Sequence, residues 1–159
     1  MWRRKCDNLL VCGSGGHTKR ALVLADSLDR CCFIIPFESQ WAKERVGKDY
    51  YSVVSPRFKA KSNKILTIIR TVFLFFHSFI LLVYIRPRCV ISTGSGLSLP
   101  VMLIARFLRV KTVYIESPSR VYVPSITGLF LMGKVNLWLS NWPELAERYS
   151  DVQYKGMLV

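Results

Sequence analysis

Carboxylates are scarce in this sequence. Its 159 residues include 10 Asp and Glu against 23 Lys and Arg, a formal net charge of +13. Between Asp49 and Glu144 the one carboxylate is Glu116. A solvated surface usually mixes both signs of charge, so this stretch favours a surface turned toward an anionic partner over an ordinary basic face. Nucleic acid, phospholipid and a phosphorylated substrate are the partner classes that the composition leaves open.

Several other signatures are missing. The five cysteines are odd in number and include no C-x-x-C pair, which argues against a disulfide framework and a cysteine-based zinc site. We expect them to be reduced, in a cytosolic compartment. The sequence contains no Asp-x-Asp pair and no cluster of histidines, so nothing in it argues for a catalytic metal. The apolar run after Arg3, Arg4 and Lys5 is too short for a secretory signal, so we expect a protein that is not secreted.

Short apolar runs alternate with longer helical patterns along the chain. This alternation is typical of a parallel sheet with helices on both faces. The predicted strands are 8–12, 31–35, 50–54, 88–92, 112–115 and 135–139, and the predicted helices are 17–28, 38–46, 65–85, 97–108, 124–132 and 144–149. Because the length fits one hydrophobic core, we predict a single Rossmann-like α/β domain over residues 1–159.

The predicted helix 65–85 is apolar on nearly every side. It is just long enough to span a bilayer if Arg70 is tolerated, and spanning stays open as an alternative. We favour a crossover helix whose outer face dips into the membrane interface, because the basic segment 55–64 and Arg86 flank its two ends. The residues predicted to contact the membrane are Lys59, Lys61, Lys64, Arg70, Phe73, Phe76 and Arg86.

A glycine-rich loop follows the first predicted strand. Small residues let backbone N–H groups and the helix N-terminus approach a phosphate, which makes the loop a candidate phosphate site. Its candidate binding residues are Gly13, Ser14, Gly15, Gly16 and Thr18. His17 lies at the start of the helix, where the helix dipole favours a neutral imidazole that can accept a proton. A dinucleotide site with Glu38 on the ribose is the alternative, although Thr18 replaces the third glycine of that fingerprint.

A second glycine turn, 93–96, again joins a strand to a helix. In a parallel sheet both turns open at the same edge, so Gly94, Ser95 and Gly96 are predicted to complete a diphosphate site. Glu116 follows the next strand and is a second candidate catalytic residue, as a base or a ligand of a sugar hydroxyl. An ion pair between Glu116 and Arg120 is the alternative, and His77 is expected to be a packing or interfacial residue rather than a catalyst.

Four ordered motifs resemble one known family. They are Gly-Ser-Gly-Gly-His-Thr at 13–18, the strand and turn 89–96, Tyr-Ile-Glu-Ser-Pro-Ser-Arg-Val at 114–121, and Asn-Trp-Pro-Glu-Leu-Ala-Glu-Arg-Tyr at 141–149. The sequence is similar to the asparagine-linked glycosylation protein fourteen family and its bacterial relatives in polysaccharide biosynthesis. The resemblance covers nearly the whole chain.

The resemblance implies the N-terminal, acceptor-binding half of a two-domain GT-B glycosyltransferase. The donor, expected to be UDP-N-acetylglucosamine, would be bound mainly by a separate catalytic subunit, the thirteenth protein of that pathway or a bacterial equivalent. The acceptor would be a diphosphate-linked lipid sugar, and Ser117 and Arg120 would join Glu116 at the edge of the site. The expected location is the cytoplasmic face of the plasma membrane or endoplasmic reticulum, peripheral or monotopic.

The mechanism expected from these residues is inverting sugar transfer with His17 or Glu116 as the base. The chain alone should show little activity, since the donor half is elsewhere, and it should bind no cofactor itself. Two alternatives stay open: a membrane scaffold that recruits the catalytic subunit without touching substrate, and a dinucleotide-dependent oxidoreductase. A nucleic-acid-binding module is not expected, because the positive charge brackets apolar helices rather than a polar, aromatic face.

Overall fold

The structure is a computed structural model that describes residues 4–13, 15–47, 49–55 and 64–157. These residues form a seven-stranded, all-parallel sheet in the order β3-β2-β1-β4-β5-β6-β7. The strands are β1 Asn8–Val11, β2 Cys31–Pro36, β3 Tyr50–Val53, β4 Cys89–Ser92, β5 Lys111–Ile115, β6 Leu137–Ser140 and β7 Gln153–Tyr154. The helices are α1 Gly16–Ala25, α2 Gln40–Val46, α3 Lys64–Ile85, α4 Ser98–Phe107, α5 Ile126–Leu131 and α6 Pro143–Arg148.

The sheet is covered on both faces, as predicted. Successive side chains of a strand point to opposite faces, so β1 sends Leu9 and Val11 to one side and Leu10 to the other. The first side carries the larger core, with α3, α4, α5 and α6, and the second carries α1 and α2. Strands buried on both faces read as continuous apolar runs, which is why these runs predict a parallel sheet.

Helix α3 connects β3 to β4 across the larger core. Leu74, Leu82 and Ile85 are fully buried on its inner side, which packs on α4 and β3. The outer side is exposed and also apolar, with Phe73 58% and Phe76 69% accessible. The segment 67–85 contains an 18-residue stretch with a mean hydropathy of 2.1, in which 22% of the residues are buried. Length and composition would therefore allow this helix to cross a membrane.

The predicted elements are present, with ends that differ by up to three residues. The main omission is β7, a two-residue edge strand of exposed side chains that carries no apolar signal. The predicted basic loop lies mostly outside the described residues, as do Lys59 and Lys61, whereas Lys64 is already part of α3.

Candidate active site

The two glycine loops lie side by side at the carboxyl edge of the sheet. Strands β1 and β4 are hydrogen-bonded neighbours, and the chain leaves β1 toward α1 on one face and β4 toward α4 on the other. This is the topological switch point of the strand order, the place where open α/β sheets bind their ligands. Both loops lead into a ten-residue helix, so two helix N-termini are directed at one crevice.

His17 joins the two loops. Its Nδ1 lies 2.7 Å from the carbonyl oxygen of Thr93, and the Thr93 hydroxyl donates to the carbonyl of His17 at 2.8 Å. A carbonyl oxygen can only accept a hydrogen bond, so Nδ1 carries the proton and Nε2 of the neutral ring is an acceptor. The ring is half-buried. The arrangement therefore fixes both the position and the tautomer of the imidazole.

Two glycines allow the loops to approach so closely. A Cβ at Gly13 would lie 2.7 Å from the Cβ of Ser95, so only glycine lets the second loop pack against the first. Gly94 has a φ of +93°, and a Cβ there would lie 3.3 Å from the backbone nitrogen of Ser117. The three loops that follow β1, β4 and β5 are therefore in direct contact.

Several predicted ligand side chains are turned inward. Thr18 is fully buried and donates to the carbonyl of Gly13 at 2.6 Å. Ser95 is 4% exposed, and its hydroxyl lies 3.0 Å from that of Ser98. Both side chains thus stabilise their loops, and contact with a ligand would be left to backbone groups. The backbone is accessible at Gly15, Gly16 and Gly96, while Ser14 lies outside the described residues.

Glu116 is the first residue of the third loop, directly after β5. It is 1% exposed and accepts four hydrogen bonds. One carboxylate oxygen, Oε1, accepts from the Ser117 amide at 2.8 Å and the Tyr114 hydroxyl at 3.4 Å, and Oε2 accepts from the amide and hydroxyl of Ser125 at 2.8 and 2.9 Å. Neither of the two ion pairs recorded in the described residues joins Glu116 to Arg120. The carboxylate ties β5 to the start of α5.

Ser117 and Arg120 lie beyond Glu116 on the open side of this loop. The Ser117 side chain is half-buried and lies 3.0 Å from the hydroxyl of Ser119, whereas Arg120 is exposed. The structure therefore keeps these two predicted residues near the surface, beside the second glycine loop, which Gly94 brings within contact of Ser117.

Sequence reasoning missed the supports of this third loop. Asn141, which follows β6, donates to the carbonyl of Glu116 at 2.9 Å and is 1% exposed. Trp142 donates from its indole nitrogen to the carbonyl of Pro118 at 2.6 Å. Their position directly after a strand of the same parallel sheet is the signal that would have placed them at this edge.

Burial raises the pKa of two further groups at this edge, so both stay protonated well above neutral pH. Desolvation raises the pKa of the Cys12 thiol to about 12, although a hydrogen bond from Thr18 opposes the shift. Desolvation, followed by the charge of Glu116, also raises the pKa of the Tyr114 hydroxyl. Cys12 is therefore no nucleophile, and Tyr114 remains a hydrogen-bond donor. In the described ranges no three His, Cys, Asp or Glu side chains gather as a metal site.

Comparison with solved structures defines the class of this fold. MurG of Acinetobacter baumannii superposes with a TM-score of 0.76 at 14% identity, over 95% of this chain and 46% of that one. UDP-GlcNAc 2-epimerase of Neisseria meningitidis, solved with UDP-GlcNAc, gives 0.67 at 12% identity, over 95% and 47%. The chain thus spans about half the length of these proteins. It has the Rossmann-like fold of the N-terminal half of a GT-B glycosyltransferase.

Sequence comparison identifies the family. Residues 34–158 match the family described as oligosaccharide biosynthesis protein Alg14 like, and the chain belongs to that family. The UDP-N-acetylglucosamine transferase subunit ALG14 of Rattus norvegicus is 26% identical over 99% of this chain and 85% of its own length. The corresponding subunit of Schizosaccharomyces pombe is 28% identical over 94% and 82%. The resemblance seen in the four motifs is confirmed.

Proposed function

We propose that this chain is the acceptor-binding, membrane-recruited subunit of a two-chain glycosyltransferase that transfers N-acetylglucosamine from UDP-N-acetylglucosamine to a diphosphate-linked lipid sugar. The observation that carries the proposal is the junction of the two glycine loops through His17 and Thr93 at the switch point of the sheet. The names of the relatives, transferase subunits that use this sugar, support the donor and the need for a second chain.

The diphosphate of the acceptor would lie on the accessible backbone of Gly15, Gly16 and Gly96. The first turns of α1 and α4 contribute the positive ends of two helix dipoles. Two such sites side by side fit a ligand with two linked phosphates. Arg120, exposed on the third loop, adds a cation at the rim.

His17 would act as the general base. In an inverting transfer, a hydroxyl oxygen of the acceptor sugar bonds to the anomeric carbon of the donor, and the bond from that carbon to UDP breaks. The hydroxyl proton passes to Nε2 of His17, which is the free acceptor because Nδ1 is held by Thr93. UDP departs carrying the bonding electron pair, stabilised by groups of the partner subunit.

Glu116 suits a positioning role better than that of base. Both of its oxygens already accept two hydrogen bonds, and the side chain is 1% exposed. A general base has to reach the proton it removes, within hydrogen-bond distance or through one water. We therefore assign proton transfer to His17, and to Glu116 the support of the loop that carries Ser117 and Arg120.

The outer face of α3 would contact the membrane. A crossover helix packed on a sheet normally has a polar outer face, whereas the described side chains of this one include ten large apolar ones that are exposed to solvent. Because Leu74, Leu82 and Ile85 are buried in the core, we propose that α3 lies along the interface with the domain on the cytoplasmic side. In that orientation the carboxyl edge can receive a lipid-linked acceptor.

The experiment compares sugar transfer by the purified chain, its catalytic partner and the two together, with labelled UDP-N-acetylglucosamine and a diphosphate-linked lipid acceptor. We expect transfer in the mixture alone. A His17→Asn variant keeps an N–H donor for the Thr93 carbonyl but has no equivalent of Nε2. We expect about 10²- to 10⁴-fold lower kcat with unchanged assembly.

His77, the second histidine of the chain, gives the matched control. It lies in α3, away from the carboxyl edge, so a His77→Gln variant should keep the parent rate. A His17→Asn subunit that assembled with its partner and retained full activity would remove His17 from the site.

A further inference from the structure

A large basic cleft lies at the amino edge of the sheet, opposite the glycine loops. Its volume is about 1310 Å³, and it is lined where β1, β4 and β5 begin and where α3 and α4 end. Its cationic lining residues are Arg4, Arg30, Arg86, Arg88, Arg109 and Lys111, and Asp7 is the one carboxylate among the lining residues. Nothing in the proposed sugar transfer uses this cleft.

The ion pairs of the cleft leave it strongly positive. Asp7 pairs with Arg30 at 3.1 Å and with Arg88 at 3.2 Å. One carboxylate therefore serves two guanidinium groups, and Arg4, Arg109 and Lys111 add to the excess. Such a concentration of like charge is unfavourable in the absence of an anion.

The backbone at three of these arginines is unusual. Arg30, Arg86 and Arg109 have φ values of 47°, 54° and 59°, in the left-handed region that glycine or asparagine usually occupies. No other non-glycine residue in the described ranges has a positive φ. A helix C-terminus favours nearby cations, which accounts for the charge of Arg86 and Arg109. The helix dipole does not explain why arginine, rather than glycine, occupies the left-handed position itself, because a long side chain there costs backbone strain.

The walls of the cleft are apolar and continue onto α3. Leu82, Val83 and Leu108 line it. Val83 is 39% exposed and belongs to the same outer face as Ile80 and Tyr84. A ligand with a phosphate at one end and a hydrocarbon chain at the other would place the phosphate among the guanidinium groups, which match its geometry, and the chain along α3.

We propose that this amino-edge cleft binds the phosphate headgroup of an anionic glycerophospholipid. The cleft and the basic segment before α3 then flank the two ends of a helix about 33 Å long, which suits a helix lying flat on the membrane. The proposal rests on the membrane contact of α3 proposed above, but it concerns charge at one end of that helix rather than its apolar face.

The test measures binding of the full chain to phosphatidylcholine vesicles with and without phosphatidylglycerol. The variant is Arg86→Gly together with Arg109→Gly, since glycine accepts the left-handed backbone and should leave the melting temperature within a few degrees of the parent. We expect it to lose about 30-fold in affinity for the anionic vesicles and to keep its binding to neutral vesicles. A single Lys111→Gln variant should lose about fivefold.

The control removes two cations from the opposite face of the sheet, with Lys43→Gln and Arg45→Gln in α2. It should lose less than about threefold. Equal losses in variant and control, or no loss in the variant, would overturn the proposal. If soluble glycerol phosphate bound the cleft as tightly as the anionic vesicles do, the ligand would be a free phosphate compound and the lipid proposal would be wrong. If the parent chain did not bind neutral vesicles at all, that result would instead count against the proposed membrane contact of α3.

Discussion

In the two glycine loops at the carboxyl edge the left-handed backbone positions are glycines, whereas around the cleft at the amino edge they are arginines. Gly15 and Gly94 have φ values of +65° and +93°, and Arg86 and Arg109 have values of 54° and 59°. Glycine leaves the backbone bare, which suits a loop that a phosphate has to approach. Arginine retains a long cation at some cost in backbone energy, which suits a cleft whose side chains contact the ligand. The contrast fits the two kinds of anion recognition that we propose for the two edges.

The carboxyl edge depends most on its buried carboxylate. We expect Glu116→Ala to lower the free energy of unfolding by about 3 kcal/mol, because the partly buried amides of Ser117 and Ser125 lose their acceptor. Chemical denaturation measures the loss. Glu147→Ala, at an exposed position of α6, is the control and should change the stability by less than about 0.5 kcal/mol.

The isosteric variant Glu116→Gln separates positioning from proton transfer. If Glu116 positions the third loop, stability and activity fall together in this variant. If the Glu116→Gln protein folded with parent stability and yet lost about 100-fold or more in kcat, Glu116 would be the base and the assignment to His17 would be wrong.

The position of the glycine loops could be predicted from the sequence because it follows from strand order. Apolar runs give parallel strands, and parallel strands place 13–18 and 93–96 at one edge. The role of Glu116 could not be predicted, because its partner Ser125 is nine residues away and arrives through the start of α5. The left-handed arginines were also missed, since no sequence pattern marks a non-glycine residue at positive φ.

The strain at Gly15 gives the next test. A Cβ there would meet no atom within 4 Å, so Gly15→Ala should lower the free energy of unfolding by about 1 kcal/mol through the positive φ alone. Gly16→Ala is the matched control, because Gly16 is helical and a Cβ would lie 4.0 Å from its nearest neighbour, Nη2 of Arg20. It should cause no loss. Equal losses from both substitutions would show that strain at Gly15 is not the cause.

The reverse substitution tests the amino edge. Arg109→Gly should change the free energy of unfolding by less than about 0.5 kcal/mol. Relief of the left-handed strain stabilises the variant, whereas the greater freedom of its unfolded chain and the loss of a cation at the end of α4 destabilise it by a similar amount. Thermal and chemical denaturation measure it. If the variant lost more than about 1 kcal/mol, Arg109 would serve the fold, and the contrast between the two edges would weaken.

The smallest expected effect is a difference in thiol reactivity between the edges. Cys31 and Cys89 begin β2 and β4 at the amino edge and are half-buried, whereas Cys12 lies fully buried beneath the first glycine loop. Desolvation raises the pKa of all three thiols, that of Cys12 to about 12. Little thiolate is therefore present near pH 8, and labelling should become faster as the pH rises. Iodoacetamide labelling followed by mass spectrometry should modify Cys31 and Cys89 well before Cys12. Early labelling of Cys12 in the folded protein would mean that the glycine loops separate in solution. Loops that separate could not hold Nε2 of His17 in place for proton transfer.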